Sequence, residues 1–264
     1  MDNNNYNTLN KKNNRENTDP FQEQATVPDD SVLFKNFPET FLKKYRDKDK
    51  IAFADLGLIS YGRALDIQLA VFEAVRQNNL AGIILLLEHE PVITIGNNKN
   101  IKNILADEKK LKKLGISLVQ SDRGGDVTFH GPGQIICYPV FNLNKFSLDL
   151  TLFVYNLEQV IINTLKHFGV KGQRIDKLRG VFVEDKKIAS IGIHVKKWIS
   201  YHGFSLNADV NLDHFKHIVA CGLKDHAQTS LQELLNRKIK NSELKEIILE
   251  NFKQVFKIKI IELQ

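Results

Sequence analysis

The stretch from residue 123 to residue 134 reads RGGDVTFHGPGQ and is the most informative segment of the chain. Its four glycines and one proline allow the backbone to approach a ligand closely and to present N–H groups. Side-chain donors come from Arg123, Thr128, His130 and Gln134. On composition alone, a polar turn between two strands explains the segment equally well. The glycine–lysine order of a nucleotide P-loop and the dinucleotide fingerprint are both missing.

The sequence on either side of this stretch predicts a mixed sheet with flanking helices. Short aliphatic or alternating runs predict strands at residues 82–87, 91–96, 135–141 and 257–262, and a hairpin of 180–183 with 187–192. Residues 200–207 are typical of a turn that enters a strand. Helical spacing predicts helices at 63–77, 152–168 and 242–256, the first based on Leu65, Leu69, Phe72 and Val75. Because strands outnumber helices and several are linked by hairpins, we predict an α+β fold.

Composition divides the chain into a polar extension and one domain. Eight of the first seventeen residues are asparagine, so residues 1–30 are predicted to be a disordered extension. The chain is 42% hydrophobic, and residues 31–264 are long enough to bury a core and suit one large domain or two small ones, of which the resemblance described below implies a single catalytic domain. The longest apolar run, 81–87, is too short to span a bilayer, and no secretory signal is recognised. We therefore expect a cytoplasmic protein.

The formal net charge of +6 indicates a mildly basic surface. Its lysines are dispersed, and neither an arginine-rich stripe nor a platform of basic and aromatic residues is found, which argues against nucleic acid as a partner. A basic surface also suits an acidic protein partner, because it steers the encounter. Charge alone leaves the partner open.

Three side chains outside the glycine-rich stretch are candidates for chemistry. The two cysteines, Cys137 and Cys221, do not make a disulfide framework, so each is a buried small hydrophobe or a reactive thiol. Lys187 begins an apolar strand, where it is either desolvated or a solvated hairpin lysine. His202 is more often a structural histidine than a catalyst. No HExxH or CxxC spacing is present, so no metal site is expected.

Four segments in this order, RGGDVTFHGPGQ, KKIASIGI, HGFSLN and ACGL, resemble the octanoyltransferases of lipoate biosynthesis, the lipoate-protein ligase B family. The resemblance covers about residues 55–230. It implies a biotin/lipoate ligase-like catalytic domain in which Cys221 accepts the acyl group and Lys187 is its partner. It also implies a substrate pocket formed by Arg123, Gly124, Gly125, Asp126, Val127, Thr128, Phe129, His130, Ser190, Ile191, Gly192, Gly203, Phe204 and Ser205.

The same resemblance implies a reaction and its partners. An octanoyl group would move from octanoyl-acyl carrier protein to a lipoyl-domain lysine through a cysteine thioester, with backbone N–H groups near Cys221 and in the glycine-rich loop stabilising the oxyanion. The acyl donor is already a thioester on phosphopantetheine, so neither ATP nor a metal is required. The implied acceptors are the lipoyl domains of 2-oxoacid dehydrogenase complexes and the glycine cleavage H protein. We expect a monomer that binds neither nucleic acid nor membrane.

Three alternatives remain. A lipoate or biotin ligase would activate a free acid with ATP, using Lys187 to hold phosphate, but would have no need of Cys221. A non-catalytic protein that presents or sequesters acyl carrier protein would not need both residues intact. Nucleic-acid binding would rest on charge alone. ATP dependence separates the first alternative from the acyl transfer that the resemblance implies.

Overall fold

A computed structural model describes residues 45–47, 49–223 and 226–263; the predicted extension, residues 1–30, lies outside them. The strands are β1 Lys50–Ile59, β2 Gly82–His89, β3 Val92–Ile95, β4 Ser117–Gln120, β5 Val127–His130, β6 Gln134–Phe141, β7 Gln173–Ile175, β8 Leu178–Val183, β9 Lys186–Lys196, β10 Ile199–Asn207 and β11 Lys259–Glu262. The α-helices are α1 Tyr61–Asn78, α2 Glu108–Lys113, α3 Leu143–Phe146, α4 Leu150–His167, α5 Leu231–Leu235 and α6 Asn241–Phe256.

In the described residues these strands form two sheets. The large sheet has eight strands in the order β11-β1-β2-β6-β10-β9-β8-β7, and the small sheet has three in the order β4-β3-β5. The large sheet is mixed, because β1 pairs in parallel with β2 and β11 while β6, β10 and β9 pair antiparallel. The small sheet is mixed as well, since β3 pairs in parallel with β4 and antiparallel with β5. The predicted mixed sheet with flanking helices is confirmed.

The central strands of the large sheet separate two hydrophobic cores. On β6, Ile135 and Cys137 face the core beneath α4, α5 and α6, whereas Ile136 and Tyr138 face the core beneath α1. This alternation follows from the two-residue repeat of a strand. Cys137 is fully buried, and burial raises its pKa well above the ordinary range, so it behaves as a small hydrophobe.

Side chains that cap the two long helices fix where these helices begin. Ser60 accepts a hydrogen bond from the backbone N–H of Arg63 at the start of α1, and Asp149 does the same for Leu152 at the start of α4. α1 ends at Asn79, whose left-handed backbone returns its N–H to the Val75 carbonyl. The predicted helices at 63–77, 152–168 and 242–256 are confirmed within two residues at each end.

The buried face of α1 is only partly the predicted one, since Phe72 and Val75 are buried as expected but the two leucines are not. Leu65 is only partly buried and Leu69 is 43% exposed. The core instead receives Ala64, Ile67 and Val71, so the buried face is rotated towards smaller side chains. Leucine spacing was misleading here because alanine also marks a buried face where a helix lies close to a sheet.

Residues 200–207 were expected to be a turn that enters a strand, and residues 123–134 a glycine-rich loop; the structure places all of 200–207 and residues 127–130 in strands. Residues 200–207 belong entirely to β10, which is buried along its length. Within β10, His202 has φ of 56°, an uncommon value for a non-glycine residue in a strand.

The small sheet packs on a third hydrophobic core, separate from the two described above, and hydrogen bonds join it to the large sheet. The Gly124 N–H donates to the Ile193 carbonyl of β9 (3.0 Å). The Asp122 carbonyl interacts with His194 Nδ1 at 2.8 Å, and the Asp122 carboxylate accepts from Tyr201 and His202 of β10. This junction of the two sheets creates the cavity described below.

Candidate active site

A cavity of about 500 Å³ lies where the small sheet meets β9 and β10. We call its two sides the large-sheet wall, formed by β9 and β10, and the small-sheet wall, formed by residues 122–130 together with the turn that contains Cys221. The structure brings most of the predicted site residues to these walls: Arg123, Gly124, Gly125, Asp126, Thr128, His130, Lys187, Ser190, Ile191, Gly192, Gly203, Phe204, Ser205 and Cys221.

Two predicted pocket residues point away from the cavity. Val127 and Phe129 are fully buried in the third core, where the Phe129 ring packs edge-on against Phe215. Their neighbours in β5, Thr128 and His130, line the cavity instead. The alternation of apolar and polar residues in VTFH is the pattern of a strand with one face in a core, and it accounts for this division.

Cys221 occupies a tight turn at the rim of the small-sheet wall. It lies in the 3-10 helix Ala220–Gly222 with φ of 56°, followed by Gly222 with φ of 70°. A non-glycine residue in this region carries backbone strain, which is common at functional sites. The partly buried Sγ lies 3.9 Å from the Ser190 hydroxyl of β9. The thiol therefore bridges the two walls.

The turn is held in place by a residue that sequence reasoning missed. Asn103 Nδ2 donates to Asp126 Oδ2 (2.5 Å), and the Asn103 carbonyl accepts the N–H of Val219 (2.7 Å). A Cβ at Gly222 would lie 3.1 Å from the same Asp126 oxygen, so the turn fits closely over this pair. Asn103 thus couples the Cys221 turn to the glycine-rich segment. Nothing in the sequence around it signals this role.

Lys187 is buried, with 2% of its surface exposed. Its backbone pairs with the Ala227 carbonyl and the Thr229 N–H, which extends the sheet into the chain after Cys221. Its ammonium lies 5.5 Å from the centre of the Phe182 ring. A Cβ at Gly180 would approach Lys187 Cε to 2.8 Å, so glycine at 180 leaves room for this side chain. Of the two interpretations offered above, the desolvated lysine agrees with this burial.

Arg123 is the structural centre of the small-sheet wall. Its Nη2 donates to the carbonyls of Thr94 (2.8 Å) and Asp126 (2.6 Å), its Nε donates to Thr94 Oγ1 (3.0 Å), and its Nη1 donates to the Gly124 carbonyl (3.1 Å). Burial lowers the pKa of Arg123, but a guanidinium stays protonated in proteins. All four acceptors are neutral oxygens. Cys221 lies close enough to interact with this positive charge.

A buried polar network continues behind the cavity. His202 Nε2 donates to Asp122, and this bond, followed by that from Tyr201, lowers the pKa of the Asp122 carboxyl. Burial lowers the pKa of His202, with Asp122 opposing the shift. Tyr138 lies 2.7 Å from His89, and burial lowers the pKa of that histidine to about 4. His202 thus joins a structural pair, as the commoner interpretation held, but it also lines the cavity.

The cavity has further lining residues that sequence reasoning did not name. Most of them are apolar, and two basic ones, Lys177 and Arg179, come from the β7–β8 hairpin. The full additional set is Asn98, Ile136, Tyr138, Leu150, Val154, Lys177, Leu178, Arg179, Ile193 and Leu223. Within the described residues, no group of three or more histidine, cysteine, aspartate or glutamate side chains is arranged to hold a metal ion.

Some of the backbone N–H groups that were expected to stabilise the oxyanion already donate hydrogen bonds elsewhere. The N–H groups of Gly222 and Leu223 already donate to Val219 and Ala220 inside the turn, and that of Gly124 donates to Ile193. Arg123 Nη1 carries two hydrogens and uses one on Gly124, which leaves one for a ligand. Arg123 therefore adds a side-chain donor to the backbone N–H groups of the cavity lining.

A cysteine and a buried lysine in one partly apolar cavity, on a mixed sheet with this topology, define a catalytic domain suited to acyl chemistry. Residues 60–253 match the family described as the lipoyl protein ligase A/B catalytic domain. The chain is 44% identical over 205 residues to the octanoyltransferase of Clostridium kluyveri, covering 78% of this chain and 88% of that one. It is 43% identical over 209 residues to the octanoyltransferase of Caldicellulosiruptor saccharolyticus, covering 78% and 89%.

Solved structures agree with the fold. A putative lipoate protein ligase from T. acidophilum with bound lipoic acid superposes with a TM-score of 0.64 at 17% identity, covering 81% of this chain and 89% of that one. A lipoate-protein ligase A bound with ATP gives a TM-score of 0.63 at 13% identity, covering 81% and 89%. The chain belongs to the octanoyltransferase family, within the lipoyl protein ligase A/B catalytic domain, and is an acyltransferase. In the described part of the chain, no helix has the length and apolar character needed to cross a bilayer.

Proposed function

We propose that this chain transfers an octanoyl group from octanoyl-acyl carrier protein to the lysine of a lipoyl domain, through a thioester on Cys221. The observation that carries the proposal is the position of the Cys221 thiol. It lies on a strained turn at the rim of the cavity, 3.9 Å from Ser190 and beside the buried charge of Arg123. The thiolate form of a cysteine is the nucleophile in thioester exchange, and this position exposes the sulfur to a ligand in the cavity.

In the first half-reaction, Cys221 Sγ attacks the carbonyl carbon of the octanoyl thioester. The negative charge that develops on oxygen is stabilised by the remaining Arg123 Nη1 hydrogen. The C–S bond to the carrier then breaks, and Lys187 gives its proton to the departing thiolate. Products are an octanoyl-enzyme, the free thiol of the carrier and a neutral lysine. The second half-reaction runs through the same tetrahedral geometry, with an amine as the nucleophile.

In the second half-reaction, the amine of the acceptor lysine attacks the octanoyl-enzyme. A C–N bond forms, the C–S bond to Cys221 breaks, and Lys187 takes the proton that the nitrogen loses. Thioester exchange is near energy-neutral and amide formation is favourable, so neither ATP nor a metal takes part. The position of Lys187 supports this role, since it lines the same cavity as Cys221.

The apolar residues of the cavity provide the binding energy for the chain. Ile136, Phe204 and Ile191 lie along the walls, and each methylene group that they cover contributes roughly 0.8 kcal/mol. Lys177 and Arg179 line the cavity and are exposed, so their positive charges can attract an acidic carrier protein. The lipoyl domains of 2-oxoacid dehydrogenase complexes and the glycine cleavage H protein are the proposed acceptors. A catalytic free thiol suits the reducing cytoplasm.

The experiment that tests this function compares two acyl sources with one lipoyl-domain acceptor. Purified enzyme receives either octanoyl-acyl carrier protein without ATP, or octanoic acid with ATP and Mg²⁺. We expect octanoylated lipoyl domain, detected by mass, only with the carrier-bound donor. Modification that requires ATP and free acid would instead identify a ligase, and Cys221→Ala would then have little effect.

A further inference from the structure

A chain of hydrogen bonds fixes the protonated nitrogen of His130. Asn207 Nδ2 donates to the Thr229 carbonyl (3.0 Å), and Gln134 Nε2 donates to Asn207 Oδ1 (2.8 Å). Gln134 Oε1 lies 2.6 Å from His130 Nδ1. A backbone carbonyl can only accept, so the orientation of both amides follows from Thr229. Nδ1 of His130 must therefore carry the hydrogen and donate it to Gln134.

The other ring nitrogen, Nε2, is then a bare acceptor. Burial, followed by the neighbouring His89 and Arg123, lowers the pKa of His130 well below its ordinary range, so the ring stays neutral at physiological pH. No described residue donates to Nε2. His130 lines the cavity, and its strand β5 packs against the turn that carries Cys221. His130 thus contributes a fixed hydrogen-bond acceptor to the small-sheet wall, which also carries Cys221.

An acceptor of this kind selects among the groups that enter the cavity. It has no hydrogen for an oxyanion, so it cannot stabilise the tetrahedral oxygen. It can instead accept from a group that carries a hydrogen, and the attacking amine of the second half-reaction is such a group. We propose that His130 Nε2 accepts a hydrogen bond from the attacking amine of the acceptor lysine and directs the nitrogen lone pair at the octanoyl carbonyl. This role rests on the proposed function and assigns His130 to the second half-reaction.

The bond strengthens as the reaction proceeds. When the C–N bond forms, the amine nitrogen gains positive charge, and its N–H becomes a stronger donor to His130. An interaction that is stronger in the transition state than in the ground state lowers the barrier. The proton itself leaves to Lys187 as Cys221 departs as a thiolate, so His130 is unchanged at the end of the step.

The first test separates the two half-reactions in the whole enzyme. Octanoyl-enzyme is prepared with octanoyl-acyl carrier protein, freed of carrier, and mixed with lipoyl domain in a single turnover. For His130→Ala we expect the transfer rate to fall about 10- to 100-fold, much more than the acylation rate, and to recover when free imidazole is added. His167→Ala, at the exposed end of α4, is the matched control.

Two results would overturn the proposal. An equal fall in acylation and transfer would mean that Nε2 contacts the carrier arm or only supports the fold. A normal transfer rate would mean that Nε2 does not contact the amine. Failure of the wild-type enzyme to form any octanoyl-enzyme is a separate outcome, since it contradicts the proposed function before His130 is tested.

A second variant, Gln134→Glu, changes the acceptor without removing the ring. A carboxylate beside Nδ1 favours the imidazolium, which places a hydrogen on Nε2 and removes its lone pair. We expect transfer by this variant to lose rate as pH falls from 8 to 6, whereas the wild-type His130 stays neutral over the same range. A pH profile of the transfer step that matches the wild type, in a variant with a normal circular dichroism spectrum, would contradict the assignment.

Discussion

The two walls of the cavity are built by different means. The large-sheet wall rests on continuous backbone pairing between β9 and β10, and its site residues need only be small or correctly alternated. The small-sheet wall rests on a few buried polar side chains, above all Arg123, Asp122 and Asn103, whose hydrogen bonds join separate segments of the chain. Regular pairing tolerates changes of side chain, whereas a wall held by single polar residues depends on each of them.

The comparison implies two kinds of sensitivity. Substitutions on the large-sheet wall should act through chemistry or steric contact at one residue. Substitutions on the small-sheet wall should release a segment of backbone and therefore affect both stability and catalysis. The following variants test this difference.

The largest expected effect belongs to Lys187, which acts chemically on the large-sheet wall. Lys187→Met preserves the length of the buried side chain while removing its proton, so both half-reactions should slow about 100- to 10,000-fold with the unfolding transition retained. Rapid-quench measurement of acylation and transfer gives the two rates. Its neighbour Lys186 is exposed and pairs with Glu233, so Lys186→Met should keep nearly full activity. Equal losses in the two variants would contradict the role of Lys187.

Arg123 tests the small-sheet wall. Arg123→Met removes the buried guanidinium that donates to the carbonyls of Thr94 and Asp126, the latter keeping only the long bond from the Gly96 N–H (3.4 Å). We therefore expect a loss of about 3 kcal/mol or more in the free energy of unfolding, together with loss of acylation. Urea denaturation measures the stability. Arg76, which pairs with Glu73 on the surface, provides the control, and Arg76→Met should cost less than about 0.5 kcal/mol. A stable but inactive Arg123→Met would show that the arginine serves substrate alone.

Gly192 tests the contact between the walls. A Cβ at this position would lie 2.7 Å from the Gly124 carbonyl, so Gly192→Ala should push the small-sheet wall outward at a cost of about 1–3 kcal/mol and slow transfer. A Cβ at Gly62, in α1, would meet no atom within 4 Å, so Gly62→Ala should instead stabilise the fold by about 0.5–1 kcal/mol. Thermal and urea unfolding of the pair decide the prediction; a neutral Gly192→Ala would mean that the walls are not in tight contact.

Acid should weaken the molecule around the cavity through its buried histidines. Burial lowers the pKa of His89 from about 6.5 in the unfolded chain to about 4, so the unfolded state binds the proton first as pH falls. Stability is therefore complete above about pH 6.5 and declines towards pH 4, with His89 contributing about 1 kcal/mol of that loss by pH 5.5. The urea midpoint at pH 7.5 and 5.5 measures it. His89→Gln should reduce the slope, and an unchanged slope would show that other groups cause the decline.

Much of the fold could be predicted because it follows from local repeats. The apolar runs of β2 and β6 and the helical spacing of α4 mark buried elements without knowledge of their partners. At 200–207 a strand was predicted but was expected to follow a turn, whereas β10 runs through the whole segment with the unusual backbone of His202 inside it. The buried face of α1 was predicted correctly at Phe72 and Val75 and wrongly at Leu65 and Leu69, because Ala64 was not counted as a core residue.

Site residues could be predicted only where a sequence motif, or the alternation of polar and apolar residues along a strand, indicated them. Thr128 and His130 face the cavity by strand alternation, and Cys221 and Lys187 came from the family resemblance. The supports could not be predicted, since Asn103 meets Asp126 across 23 residues and His202 meets Asp122 across 80. Such pairs form only because of how the two sheets pack. That packing cannot be predicted from single residues that belong to no local sequence pattern.

The measurement that tests the central claim most directly is the intact mass of the enzyme after mixing with octanoyl-acyl carrier protein in the absence of ATP. The account predicts one added octanoyl group that hydroxylamine removes, present in the wild type and in Cys137→Ala and absent from Cys221→Ala. An adduct that persists in Cys221→Ala, or that disappears from a folded Cys137→Ala, would contradict a thioester on Cys221.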